Sequence, residues 1–448
     1  MVLINNSIRM IMKKFLVVTC LIILSVSGAF AQRLQARFVT SAYAWERQDS
    51  IGTSSQHLFG YQTIQLSVAG EKLSFNTYLQ GFNDFAGPVK NEGTMRVYNF
   101  YFKATNIGQL ADVSLGRQAI FAGVGTGTID GGLASLKFLD SRLKVVGYYG
   151  ALPSERYKMA MINNAGDNYM TGGQLVASPA DFAQISVSYM QKHLQPETYI
   201  GIRRDSLFNP YPIEIKPSAA AEEYLSGDVN LEYNDVISGY GRYDYDLLSD
   251  KNSRMQLFTR VKPFGSLNVK ALEPLSLTGE YIQRDPRLLY NSIFSVFTFN
   301  SLKEYEVGAE YAIGLHWQVF GKYGAVSYND ATQNQITVGL NGEHVSLSVT
   351  RDNGDGGELS AASLNLGYPL LDNKLTPTFL LGYAHYKLSE YSSKLDDALS
   401  VAVGAVYRPS RLFSVDAQAQ WIQNKIYSND MRFFVRVNYL LSQQLRIF

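Results

Sequence analysis

K-E-Y-E-V-G-A-E-Y-A-I, residues 303 to 313, sets Tyr305, Val307, Ala309, Tyr311 and Ile313 at every second position, with Glu304, Glu306, Gly308 and Glu310 between them. A strand turns successive side chains to opposite faces, so this segment has one greasy face and one wet face. The pattern returns further on, where Phe413, Val415, Ala417, Ala419 and Trp421 alternate with Ser414, Asp416, Gln418 and Gln420. It recurs too often for one soluble sheet. The question is therefore which face meets water.

The N-terminus bears on that question. Met12, Lys13 and Lys14 precede an apolar run from Phe15 to Val26, followed by Ser27, Gly28, Ala29, Phe30 and Ala31. A basic start, a short hydrophobic stretch and small residues at A-x-A spacing predict a secretory signal peptide over 1–31, cleaved after Ala31. The run is shorter than the ~20 apolar residues of a membrane-spanning helix. Cys20 lies inside it, which makes a lipoprotein anchor a poor reading. Cleavage leaves 417 residues, 32–448, without a cysteine. Losing Arg9, Lys13 and Lys14 lowers Lys plus Arg from 40 to 37 against 39 Asp plus Glu, a formal charge of about −2. Nothing in that balance points to nucleic acid.

Turn residues divide the remainder into twenty-two candidate strands between about residues 34 and 440, with no sustained helical period. The segments near 133 to 139 and 227 to 233 alternate least well, which brackets the strand number at 16 to 22. The connections add a rhythm. Long polar stretches such as N-D-F-A-G-P-V-K-N-E-G-T follow odd-numbered strands, and short turns such as A-G-E-K, N-I-G-Q and N-G-E follow even-numbered ones. Connections near 264 to 274 and 369 to 375 are longer than that rule allows. An even number of amphipathic strands with short turns at one rim and long loops at the other predicts an all-β fold. It is a transmembrane antiparallel up-and-down β-barrel with short periplasmic turns and long extracellular loops. The 30 Tyr and 24 Phe suit the aromatic girdles of such a barrel. A soluble sandwich would have to bury several charges per strand, at a prohibitive cost in desolvation.

In a barrel the wet face lines the lumen. That assigns Glu304, Glu306 and Glu310 to one wall, and Arg432 and Arg436 to the last strand, which must close on the first beside Arg37. A basic seam facing an acidic wall predicts a transverse field across the pore. The longest stretch without alternation, Gln195 to Ser226, reads as an extracellular loop. Tyr240, Tyr243 and Tyr245 with Arg242 and Asp244 read either as a sugar-stacking strand or as interfacial girdle. Leu440 and Phe448 are alternative ends for the last strand, Phe448 fitting a terminal aromatic assembly signal although Ser442, Gln444 and Arg446 are not apolar.

The most distinctive local stretch is L-G-R-Q-A-I-F-A-G-V-G-T-G-T-I-D-G-G, Leu115 to Gly132. Its Gly116, Arg117, Gln118, Asp130 and Gly131 resemble the "GRQ…DG" element of alginate-export and related substrate-specific porin-like barrels. The resemblance covers about twenty residues and implies an outer-membrane porin fold with a lumen-facing arginine. Parity with Val113 and Leu115 turns Arg117 outward instead, unless Gly116 marks a bulge.

The expectation is an outer-membrane, porin-like channel for passive diffusion of small polar or charged solutes, in contact with outer-membrane lipids and needing no cofactor. The alternative is a scaffold or sheath for a partner, either a periplasmic electron carrier or a surface lipoprotein. An outer-membrane hydrolase ranks below both. His57, His193, His316, His344 and His385 show no metal-ligand spacing, and no nucleophile motif stands out, so no catalytic or metal site is expected.

Overall fold

A computed structural model describes residues 33–85, 95–154, 157–160, 164–195, 198–216, 220–264, 272–285, 301–328, 331–387 and 394–444. The expected signal peptide and Phe448 lie outside them.

Among the described residues twenty-four strands follow one another. The first nine are β1 (Arg33–Asp49), β2 (Ser54–Ala69), β3 (Leu73–Asp84), β4 (Met95–Ile107), β5 (Ala111–Ala122), β6 (Gly125–Phe138), β7 (Leu143–Ala151), β8 (Tyr169–Ala180) and β9 (Ala183–Leu194). A short hairpin follows, β10 (Tyr199–Arg204) with β11 (Pro210–Ile215). The wall resumes with β12 (Ala220–Tyr233), β13 (Ile237–Asp246), β14 (Lys251–Val261), β15 (Leu275–Arg284), β16 (Leu302–Ile313), β17 (Trp317–Tyr328) and β18 (Ala331–Asn341). It ends with β19 (Val345–Gly354), β20 (Gly357–Gly367), β21 (Leu375–Lys387), β22 (Asp396–Ser410), β23 (Phe413–Gln423) and β24 (Tyr427–Gln444).

Each wall strand pairs antiparallel with its neighbours in sequence, β9 pairs with β12 across the β10–β11 hairpin, and β1 pairs with both β2 and β24. The result is a closed up-and-down barrel of 22 strands. Closure leaves neither β1 nor β24 as an edge strand. All twenty-two segments expected from alternation are wall strands. The β10–β11 hairpin is an addition within the stretch read as a loop. The last strand runs to Gln444, past Leu440, and keeps register with β1 as far as Arg33.

Turns at one rim are tight. Asn234 and Asp235, in the three-residue connection between β12 and β13, both have positive φ, at 47° and 54°, and the Val236 amide donates back to the Tyr233 carbonyl to close the turn. At the other rim some connections are long, as between β7 and β8, and others short, as between β19 and β20.

The two faces differ in chemistry. Tyr305, Val307, Val349, Val403, Phe433 and Val435 are large and exposed on the face opposite the ion pairs, as on the outward face of a transmembrane barrel. Opposite parity carries the ion pairs and amide networks of the lumen. Tyr243, which is 42% exposed, lies on the outer face as a girdle tyrosine would, while Arg242 and Asp244 point inward and bond each other at 2.8 Å.

Candidate functional site: the lumen and its inward hairpin

The inner wall of β14–β17 holds the three glutamates singled out above. Glu306 accepts from Lys322 Nζ at 2.8 Å. Glu310 accepts from Arg260 at 3.1 Å and from Gln318 at 3.0 Å. Glu304 stands on the same face, level with Ile282 of β15 and Val326 of β17. Eight strands further on, Arg432 binds Asp430 at 2.7 Å, and Arg47 reaches the same carboxylate at 3.1 Å. Asp430 is fully buried between them. Arg436 binds Asp416 through Nε at 2.7 Å, and Arg37 donates to Asn438 at 3.1 Å.

These contacts correct the expected transverse field. Cations stand among the glutamates, and carboxylates stand among the arginines. Glu306, Glu310, Arg432 and Arg436 each meet an opposite charge at about 3 Å, and Arg37 meets the neutral Asn438 amide, so these parts of the walls act mainly as rows of short dipoles, whose fields decay faster than those of separated charges. Parity reading found the charged groups on each strand. It missed their partners, because pairing depends on neighbouring strands and register.

The Leu115–Gly132 stretch is the structural surprise. β5 pairs with β4 only up to Arg117, opposite Phe100, and β6 pairs with β7 only from Asp130 onward. Between those points, residues 118 to 129 pair only with each other. Gly116 is where β5 leaves the wall. Its φ is +127°, and a Cβ there would lie 2.3 Å from the Phe100 carbonyl oxygen. Only glycine accepts that backbone and that contact. The bend also overturns the parity argument for Arg117, whose side chain is buried at the base of the hairpin rather than turned to lipid.

Arg117 holds that base together. Its Nε and Nη2 donate to the two carboxylate oxygens of Asp130 at 2.6 and 2.7 Å, a bidentate pair directly across the hairpin. Nη1 donates to the Val97 carbonyl at 3.2 Å and to the Lys158 carbonyl at 2.7 Å. Val97 lies in the part of β4 that β5 has abandoned, so the guanidinium replaces a lost ladder donor. The Lys158 contact ties the β7–β8 connection to the same point, and Tyr157 of that connection packs 5.2 Å from Tyr98. Gln118 donates to the Ser114 and Gly131 carbonyls at 3.3 and 3.2 Å.

The hairpin then crosses the lumen side of the wall. Ile120, Ala122, Val124 and Ile129 pack on Val146 and Tyr148 of β7, Met170 of β8, Met190 of β9 and Tyr224 of β12. These wall residues alternate with exposed Tyr149, Leu175, Val187 and Leu225. A hairpin rooted in β5 and β6 reaches β12 over four strands only along the concave side. At its tip the Val124 amide donates to Ser188 Oγ at 2.9 Å, and a Cβ on Gly123 would overlap that hydroxyl. Burying this apolar cluster provides the driving force for folding inward. The hairpin's other face looks into the open lumen, where Phe121 is 80% exposed.

Sequence reasoning missed the hairpin, although a signal was present. V-V-G-Y-Y at 145–149 puts apolar residues on both faces of one barrel strand. A lumen face that is apolar is a lumen face covered by protein. No group of His, Cys, Asp and Glu suited to a metal occurs among the described residues.

No protein-family model matches the chain, and no curated protein sequence matches it. Solved structures do. A mutant of the ferric enterobactin receptor PfeA from Pseudomonas aeruginosa is similar over 91% of this chain and 80% of its own, with 10% identity and a TM-score of 0.54. The chain shares the fold of that receptor's large closed β-barrel. OccAB3 of Acinetobacter baumannii is similar at 10% identity, with 92% of this chain and 99% of that one covered and a TM-score of 0.41. OccK2 (OpdF) of P. aeruginosa, in complex with glucuronate, is similar at 8% identity, with 93% and 100% covered and a TM-score of 0.38. At these identities the likeness concerns the fold of the barrel.

Proposed function

We propose that the protein is a passive channel for small polar or charged solutes, narrowed by its own β5–β6 hairpin. One observation carries the reading: a polar, ion-paired inner wall persists around β13–β24, while a detached hairpin occupies the lumen beside β7–β12. Water and hydrated solutes are stabilised against such a wall, and the hairpin sets the remaining width. Diffusion down a gradient requires no cofactor and no catalytic group. Purified protein in a planar bilayer should give stepwise single-channel currents; a silent bilayer with correctly folded protein would overturn the reading.

A second reading is favoured by strand number. Barrels of about 16 to 18 strands leave an aqueous channel, whereas 22-stranded outer-membrane transporters carry a plug. Here the segments seen inside the lumen among the described residues belong to the barrel's own connections. A partner protein held inside, as in a sheath, would occupy the remaining space. In that case the isolated barrel should conduct strongly and lose its current when the partner is added.

A further inference from the structure

The lumen face of β1–β4 carries a feature that neither the charge pattern nor the hairpin uses. Residues two apart on a strand share a face, and direct cross-strand partners come within about 5.5 Å. Rings at positions 57, 59 and 61 of β2, with ring-bearing partners 45 on β1 and 82 on β3, must therefore meet. The centroids of Trp45 and His57 lie 4.7 Å apart, those of His57 and Phe59 5.5 Å, those of Phe59 and Tyr61 6.5 Å, and those of Tyr61 and Phe82 6.1 Å. Their planes are inclined by only 4° to 34°, so the rings overlap like shingles. A guanidinium closes each end: Arg47 lies 4.2 Å over Trp45, and Arg96 lies 5.5 Å over Phe82.

The row is on the inner face. Trp45 pairs with Arg432 and Arg47 with Asp430, whereas the outward positions between them include exposed Leu58. All five rings are half-buried, each keeping surface open to the lumen. Interfacial girdle rings face lipid instead, and core rings are covered on both sides. This row is a strip of apolar ring faces bordered by hydrogen-bonding groups. It suits an elongated solute that is apolar on its ring faces and polar along its edges. A chain of pyranose rings has that character, with C–H faces and equatorial hydroxyls, and the ring-to-ring step is comparable with the length of one sugar unit. Charge points to neutral sugars. At the Trp45 end Arg47 and Arg432 share the buried Asp430, so the cations there are compensated.

We propose that the Trp45–Phe82 stack is a track for uncharged linear oligosaccharides, entered at the rim near Arg47 and followed along the wall toward Arg96. The proposal deepens the channel reading and rests on it for transport, but binding to the stack is measurable without any current.

Trp317 and Trp421 lie on the outer face, so a Trp317→Phe, Trp421→Phe background leaves Trp45 as the single tryptophan reporter. In detergent, maltohexaose or cellohexaose should change Trp45 emission saturably, with glucose at least about tenfold weaker. Phe59→Leu with Tyr61→Leu, which keeps apolar volume but removes the rings, should weaken hexasaccharide binding about tenfold. Phe59→Tyr should keep it, and Leu58→Val on the lipid face should not alter it. Circular dichroism checks folding of each variant. Absence of a saturable response to both hexasaccharides in folded protein overturns the track, as does tighter binding of an oligogalacturonate than of either neutral sugar. In bilayers, stepwise current without a Trp45 response rejects the track and keeps the channel. A Trp45 response with a silent bilayer rejects the channel and keeps the track.

Discussion

Two walls of one lumen read very differently. On β16–β24 the inward positions are hydrated and charged, and alternation with the lipid face is clean: Glu306 with Lys322, Arg436 with Asp416, each opposite exposed valines and tyrosines. On β7–β12 the inward positions include Val146, Tyr148, Met170, Met190 and Tyr224, and the hairpin from Gln118 to Ile129 lies over them. The strands are equally regular in both places. What differs is whether water or protein touches the inner face. Alternation therefore reports solvent contact rather than strand formation, and its local failure marks where a barrel folds part of itself inward.

Five variants probe this contrast, in order of expected size. Asp130→Ala removes the carboxylate that compensates Arg117, whose side chain is only 6% exposed, and should destabilise the barrel by ~3–5 kcal/mol in urea unfolding from lipid vesicles. Replacing both partners, Arg117→Met with Asp130→Leu, should recover most of that loss, because no buried charge remains unpaired. Met170→Ala opens a cavity beneath the hairpin at a fully buried position and should cost ~2–4 kcal/mol. A loss well below 1 kcal/mol would mean that the hairpin does not pack on β8. On the hydrated wall, Arg432→Glu with Arg436→Glu adds two acids beside Asp430 and Asp416 and should shift permeability toward cations, measured as a reversal potential in a salt gradient. An unchanged ratio would place these residues off the conduction path. The smallest effect belongs to Glu306→Gln, which breaks a half-exposed pair with Lys322 and should change stability by less than ~1 kcal/mol.

Legibility in the sequence follows the same division. Fold class, strand order and the positions of all wall strands were readable, because period-two patterning and turn chemistry are local properties. That Glu304, Glu306, Glu310, Arg432, Arg436 and Arg37 stand on the polar face of their strands follows from parity within single strands. The pairing of Arg436 with Asp416, and the sharing of Asp430 by Arg47 and Arg432, depend on register between strands, which alternation does not supply. Around Gly116 the reading stalled for a physical reason. The bend at Gly116 carries the chain out of the wall, which alternation within one strand does not report, so Arg117 and Asp130 were recognisable as a pair of family-like residues but not as the clasp of an inward hairpin. The aromatic row on β1–β3 was hidden among 30 tyrosines and 24 phenylalanines, because composition does not tell a ring on one face of a strand from a ring on the other.

The central claim is that residues 118 to 129 lie inside the lumen and restrict it. Replacing residues 119–128 with a two-residue Asn-Gly turn keeps the Gln118–Ile129 pair and the Arg117–Asp130 clasp while removing the inward arm. Single-channel conductance of that variant should exceed that of the unaltered protein at the same salt and voltage. An equal or lower conductance, from protein with an unchanged β-sheet circular dichroism spectrum, would contradict the account.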